Sequence, residues 1–236
     1  MKRNSDDNET KGKIVYRFET PVYPANILYV NLVANYSCTN NCLFCSRPRN
    51  KKEVGKPNIY EKKAGSFLFL PAAPSIDEIM DSIDAEIKKD DVELAIIGLG
   101  EPLIYLPTAV EVIKKVKEKY HIRARVDTNG LVKCMYSDPA KILEETGLDE
   151  IRISLNAINE EEYVKLCKPK FKDAFSNLIT FVRECVNSSI DTYVSFVVGF
   201  SADGITQRTN EEYKAFALSL RVNPQNIIFR TYVSLD

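Results

Sequence analysis

Apolar positions along the chain recur with two periods. Helix-period segments cover 75–89, 108–119, 138–146, 171–187 and 210–220, and short β-branched runs cover 92–98, 122–128, 149–155, 192–199 and 226–233. A further strand-like run, 27–34 (ILYVNLVA), precedes them and brings the strands to six. Ser75 followed by Glu78 has the spacing of a capping box at the first of these helices. Strands alternating with helices predict parallel βαβ units. One continuous right-handed winding of six such units curls into a partial (β/α)6 barrel of TIM type, open on one side. A flat, doubly wound sheet satisfies the same pattern.

The polar positions within the strands refine this picture. Strands covered on both faces read as unbroken apolar runs, yet Arg125 and Asp127 share one face of their strand, as do Glu150, Arg152, Ser154 and Asn156 of the next. If Ile151, Ile153 and Leu155 pack on helices, the polar face lines the lumen, where charges must be paired, hydrated or bound to ligand. Two readings stand side by side: Arg125 and Arg152 meet an anionic group of a substrate, or Arg125, Arg152 and Glu150 form a structural ion-pair network.

Residues 1–25 read as a polar N-terminal extension and 26–236 as one core domain. Within the core, 36–47 is a cysteine-bearing loop, and 46–74 is a connection carrying Arg47, Arg49, Lys51, Lys52, Lys56, Lys62 and Lys63 ahead of an apolar patch at 67–70. That basic stretch is a candidate docking surface for a protein or RNA partner, or simply a solvated loop. Overall charge does not decide the matter, because 32 basic residues against 33 acidic leave a net charge of -1. No apolar run approaches a membrane span, and the charged first 13 residues lack the apolar stretch of a signal peptide, so a cytoplasmic protein is expected.

In a reducing compartment, clustered thiols point to a metal rather than to disulfides. Cys38, Cys42 and Cys45 lie within eight residues, whereas Cys134, Cys167 and Cys185 are scattered and read as small buried side chains. Iron-sulfur clusters are normally held by four cysteines. A triad without a fourth thiol nearby leaves one iron with an open position, as catalytic metal sites require. Structural zinc would need a fourth ligand, and the single histidine, His121, is remote in sequence. A non-enzymatic metal-binding module stays open as an alternative.

The spacing Cys38-Thr-Asn-Asn-Cys42-Leu-Phe-Cys45, following a first strand, resembles the radical S-adenosylmethionine (SAM) superfamily. Gly98-Leu-Gly100-Glu101-Pro102 resembles that family's GGEP segment, which contacts the cofactor's amino group. The resemblance implies a [4Fe-4S] cluster on the three cysteines and SAM on the fourth iron. It also implies reductive cleavage to a 5'-deoxyadenosyl radical that abstracts hydrogen from a substrate. Asp127, Asn129, Ser154 and Asn156 end two strands at the edge where barrel ligands bind, and by this resemblance they face the cofactor. Ser154 and Asn156 are then its ribose contacts. Asp127-Thr128-Asn129-Gly130 also resembles glycyl-radical activating enzymes, in which Asp and Thr help hold a monovalent cation. The adenine motif is only partly present, with Val197 and Gly199 as its remnants.

Within the superfamily, the run from ILYVNL through CTNNCLFCSR, GLGEP, TNG and ISLNA to YVKLCKP resembles small proteins associated with TatD-type nucleases. This resemblance implies a reductant such as flavodoxin or ferredoxin and leaves the substrate open: a small molecule, or a protein or RNA that the enzyme activates or modifies.

Overall fold

The computed structural model describes residues 12–18, 25–49, 52–54, 58–206 and 208–233. Seven strands form one sheet in sequence order: β1 (Val15–Tyr16), β2 (Ile27–Val30), β3 (Glu93–Ile96), β4 (Arg123–Thr128), β5 (Glu150–Ser154), β6 (Asp191–Val198) and β7 (Ile227–Thr231). The pairs from β2 to β7 are parallel, and β1 lies antiparallel on β2. β1 and β7 are the two edges, so the winding is the expected six-unit partial barrel, unclosed, with one added strand.

The helices are α1 (Ile59–Ala64), α2 (Ile76–Glu86), α3 (Leu106–Tyr120), α4 (Pro139–Glu145), α5 (Glu160–Cys167), α6 (Ala174–Val186) and α7 (Asn210–Ser219). Ser75 and Glu78 close the expected capping box on α2. The apolar faces of these helices, among them Ile79, Ile83, Val112, Val116, Leu178 and Phe181, are buried in the same core as Leu94, Val126, Ile151 and Val194 of the strands. That packing turns the alternate strand positions inward, and the lumen holds a smaller aromatic cluster of Tyr16, Phe18 and Tyr29 with Ala95.

Several features depart from the sequence reading, and one is α5, which none of the expected helix segments covers. Residues 12–18 belong to the barrel instead of the polar extension: Ile14, Val15, Tyr16 and Phe18 are buried, and the amides of Gly12 and Lys13 donate to Phe69 and Phe67 at 2.6 and 2.8 Å. A two-residue strand has too little periodicity to register alone; it pairs with β2, and Gly12 and Lys13 ahead of it bond to a segment more than fifty residues away. The regular strand ends at Val30, not Ala34; beyond it Asn31 N still donates to Ile14 O at 2.7 Å and Ala34 forms an isolated bridge to Leu70, while the Asn31 side chain ties the turn to its neighbours. Its Nδ2 donates to Leu68 at 2.8 Å, while its Oδ1 accepts from Val33 N at 3.0 Å. The connection over 46–74 contains α1, capped by Asn58 and Gly65, and its Ala64 is buried. Lys62 and Lys63 are exposed there; Lys51 and Lys56 lie outside the described residues.

Candidate functional site

The three clustered cysteines sit at the C-terminal mouth of the barrel, and every neighbouring strand end helps to hold their loop. Below it runs the Gly98–Pro102 turn after β3. Glu101 N donates to Ser37 O at 2.9 Å. A Cβ on Gly100, whose φ is +138°, would stand 2.3 Å from that same oxygen, and a Cβ on Gly98 would meet Asn31 Oδ1 at 2.4 Å. Both glycines are therefore required by chain-to-chain approach before any ligand is considered. Pro102 opens a buried 3-10 turn, Pro102–Tyr105, which leads into α3.

Glu101 itself is 1% exposed. Its Oε1 accepts from Leu103 N at 2.9 Å and Thr128 Oγ1 at 2.7 Å, and its Oε2 from Asn129 N at 2.6 Å. Burial outweighs these three donors and pushes its carboxyl up to about 7. Both oxygens thus already serve the junction between the β3 and β4 ends, where the sequence suggested a contact with an ammonium.

From the end of β4, Asn129 reaches across to the cysteine loop, its Nδ2 donating to Thr39 Oγ1 at 2.8 Å and lying 3.5 Å from Cys38 Sγ. Asn40 N lies 3.4 Å from the same sulfur. Arg47 and Arg49, read as parts of a basic docking surface, brace the loop instead: Arg47 donates to the carbonyls of Tyr36 and Asn40 at 2.8 and 3.0 Å, and Arg49 to that of Cys42 at 2.8 Å. Burial and the nearby Glu101 carboxylate push the Cys38 thiol up to about 12, against the pull of Asn40 N–H and Arg47. Cys42 is raised by a hydrogen bond with Cys167 and by burial, and Cys45 by burial. Without a metal, all three are thiols near neutrality.

The other sequence-predicted residues divide into two groups. Ser154, Asn156 and Val197 gather where β5 and β6 end: Asn156 is held at φ 58°, its Oδ1 accepting from Val197 N at 3.1 Å, and Ser154 pairs in register with Ser195. Val197 and Gly199 line a cleft there with Leu166, Phe200 and Ile205. Phe44, the aromatic before the last cysteine, meets Phe200 edge to face with ring centres 6.1 Å apart. Glu101, Asn129, Asn156 and this cleft, which Thr206 and Arg208 also line, therefore surround one mouth.

Arg125 and Asp127 instead lie in the lumen. Arg125 is 3% exposed; its Nε donates to Glu93 at 2.7 Å, a second amino group pairs with Asp127, and Glu150 stands 3.8 Å away. The ion-pair reading holds for Arg125, which has no free face for a substrate. Arg152 is half-exposed, bonded to Glu150 at 2.6 Å and resting over the Tyr193 ring. Asp127 is occupied by Arg125 and by Arg230 of β7 at 3.4 Å, and Thr128 by Glu101, so the proposed cation pair is committed to internal partners. Thr39, Tyr163 and Arg230 were missed, and Arg47 and Cys167 were read in other roles. Their roles depend on contacts across the fold, and no local spacing marks them.

Three thiols in one loop are the donor type that an iron-sulfur cluster takes. Among the described residues no three His, Cys, Asp or Glu side chains converge closely enough to hold one metal ion. A cluster, whose ligand sulfurs bind separate irons, needs them spread around a shared space.

Comparison with known proteins gives a concordant result. The sequence model of the radical SAM superfamily matches residues 33–213. An uncharacterized protein of Methanocaldococcus jannaschii, MJ0103, is 25% identical over 209 residues, covering 86% of this chain and 44% of its own. A probable GTP 3',8-cyclase of Methanococcus maripaludis is 27% identical over 145 residues, covering 61% and 41%. Among solved structures, Streptococcus suis SuiB bound to S-adenosylmethionine has a TM-score of 0.58 at 16% identity, covering 89% of this chain and 43% of that one. That likeness shows a shared fold. The chain spans less than half the length of these relatives. No helix among the described residues is long and apolar enough to cross a membrane.

Proposed function

Because the chain belongs to the radical SAM superfamily of enzymes, whose cofactors are SAM and a [4Fe-4S] cluster, we propose that Cys38, Cys42 and Cys45 hold that cluster and leave one iron for SAM. The observation that carries the reading is the convergence of the cysteine loop, the Gly98–Pro102 turn and Asn129 at one barrel mouth. When bound, the reduced cluster supplies an electron that cleaves SAM to methionine and a 5'-deoxyadenosyl radical, which takes a hydrogen atom from a substrate.

The chain's own residues position the cofactor. Glu101 fixes the turn whose backbone faces the cofactor's amino group, Ser154 and Asn156 stand at the ribose, and Val197, Gly199, Phe44 and Phe200 offer an apolar wall to adenine while excluding water. Arg152 and Arg230 lie on the inner strand face, Arg230 level with Val197 and Arg152 further from the mouth, with 31% and 42% of their side chains exposed, and they are the groups for an anionic substrate. A nucleotide is one such substrate, and the cyclase relatives favour it.

A second reading has the open mouth closed by a protein or RNA partner. Lys62 and Lys63 on the exposed face of α1 support it. The TatD-associated subgroup, partnership with a TatD-type nuclease, and a flavodoxin or ferredoxin reductant belong to this proposal through the sequence resemblance alone.

The test is anaerobic reconstitution with iron and sulfide, reduction with SAM present, and assay for 5'-deoxyadenosine. Product formation is expected. A fully loaded cluster that yields none would leave only a metal-binding module. Stimulation by a purine nucleotide supports the first substrate reading, and stimulation by a copurifying protein or RNA supports the second.

A further inference from the structure

The corner after β4 holds the Asn129 side chain in one orientation. Its Oδ1 accepts from Leu131 N at 3.0 Å, and since a backbone N–H can only donate, the amide nitrogen must face the other way. There Nδ2 donates to Thr39 Oγ1 at 2.8 Å and to Cys38 Sγ at 3.5 Å, so its two N–H groups meet one oxygen and one sulfur of the cysteine loop. The backbone is pinned as well: Asn129 N donates to Glu101 Oε2 at 2.6 Å, and Gly130 N to Thr128 Oγ1 at 3.0 Å. Asn40 N, at 3.4 Å, is a second donor to the same sulfur.

We propose that Asn129 is a positioning residue whose side-chain amide donates an N–H hydrogen bond to the cluster-bound sulfur of Cys38 and raises the reduction potential of the cluster. The sequence resemblance aimed this side chain at SAM, but its amide oxygen and nitrogen are already engaged within the protein. A sulfur bound to iron has no proton, so Cys38 can only accept once the cluster is in place. A donor to an ionised acceptor forms a hydrogen bond roughly twice as strong as a neutral pair. Beside a ligand sulfur it stabilises the reduced cluster, which carries one more negative charge, over the oxidised one. Hydrogen bonds to the sulfurs are among the determinants of cluster potential. Asn40 contributes through its backbone, whereas Asn129 contributes through a side chain that substitution removes without touching a ligand.

The inference rests on the cluster assignment above, and its test separates the two. The full chain and its Asn129→Leu, Asn129→Asp and Thr39→Val forms are reconstituted, assayed for iron and sulfide, and titrated with dithionite through redox mediators, with electron paramagnetic resonance of the reduced cluster as the readout. Leu, of similar size and without a donor, should lower the ratio of reduced to oxidised cluster about threefold at fixed potential, roughly 28 mV at about 59 mV per tenfold for one electron. Asp keeps the acceptor for Leu131 N but turns a carboxylate oxygen toward the sulfur, so its shift should have the same sign and be larger. Thr39→Val removes the other partner of Nδ2 and keeps the sulfur bond, so its potential should stay near that of the parent. A further measurement needs no variant: with isotopic label confined to asparagine side-chain nitrogens, the reduced parent cluster should show a coupling to labelled nitrogen. The Nδ2 of Asn40 is turned instead to Tyr163 Oη, at 2.9 Å.

An unchanged or raised potential in Asn129→Leu would overturn the proposal. Equal lowering in Asn129→Leu and Thr39→Val would do so too, because it would mark loss of the loop's anchor, not of the sulfur's donor. Should the Asn129 variants shed their iron, the labelled parent decides alone, and absence of the nitrogen coupling there overturns the proposal. Failure of the parent to assemble any cluster would instead remove the cluster assignment itself.

Discussion

Replacing Glu101 with Gln tests whether the buried carboxyl is neutral in the folded, metal-free protein. Its pKa rises from 4.5 in the unfolded chain to about 7 on folding, so the folded state binds the extra proton between those values. Stability from this group is fully present below 4.5 and is lost as pH rises through about 7. At about 1.36 kcal/mol per pH unit, the whole gap corresponds to roughly 3 kcal/mol, of which about 2.5 kcal/mol falls between pH 5 and pH 8. Gln has no proton to lose. It retains an oxygen for Leu103 N and Thr128 Oγ1, but turns an amide NH2 toward Asn129 N, which is 2.6 Å from Oε2 in the parent. That leaves a buried amide unsatisfied at a cost of about 1–3 kcal/mol.

The variant should therefore be less stable than the parent at pH 5, and the difference should shrink or reverse by pH 8. Urea unfolding of both metal-free proteins at the two pH values, at constant ionic strength, measures this directly. All other titrating groups are shared and cancel. Parallel pH profiles, with one constant difference, would refute the claim that burial dominates the three donors.

Three further outcomes follow from the same geometry. Gly100→Ala should destabilise the metal-free protein by ~3 kcal/mol through strain and overpacking, since its Cβ would sit 2.3 Å from Ser37 O and 2.6 Å from Val33 Cγ1; an unchanged melting temperature would contradict it. Arg125→Met should cost about 3–5 kcal/mol by leaving the buried Glu93 carboxylate without its cation and stripping Asp127 and Glu150 of one of theirs, and a loss below about 1 kcal/mol in urea unfolding would show that these contacts are not a coupled network. Arg47→Ala removes the donors to Tyr36 O and Asn40 O, so it should shorten the lifetime of the reconstituted cluster in air while leaving far-ultraviolet circular dichroism intact; iron retention over time is the readout.

The sequence by itself determined the period of the elements and with it the α/β class, leaving an open barrel and a flat, doubly wound sheet as its two windings. Six apolar runs at strand length, separated by helix-period segments, allow few other topologies, and all six appear as parallel strands. It determined the cysteine triad as well, because thiols three and four residues apart are a local fact of the chain. The Gly98–Pro102 turn was legible for the same reason.

Only the tertiary structure decided what those residues touch. Residues 12–18 joined the sheet because β2 paired with Val15 and Tyr16 while Phe67 and Phe69 accepted from Lys13 and Gly12, the latter a match that no window around either segment contains. Arg125 became an internal ion-pair centre when β3, β4 and β5 placed three carboxylates around it. Glu101 turned inward when β4 delivered Thr128 and Asn129 to its oxygens. Cys167, a small buried residue by composition, came to lie beside the cysteine loop, its carbonyl accepting from Asn41 N at 2.9 Å, because the end of α5 runs along that loop. Periodicity is a property of neighbours along the chain and survives in the sequence. Pairing of charges and sulfurs is a property of neighbours in space, and it comes into being only when the winding brings distant strand ends to one mouth.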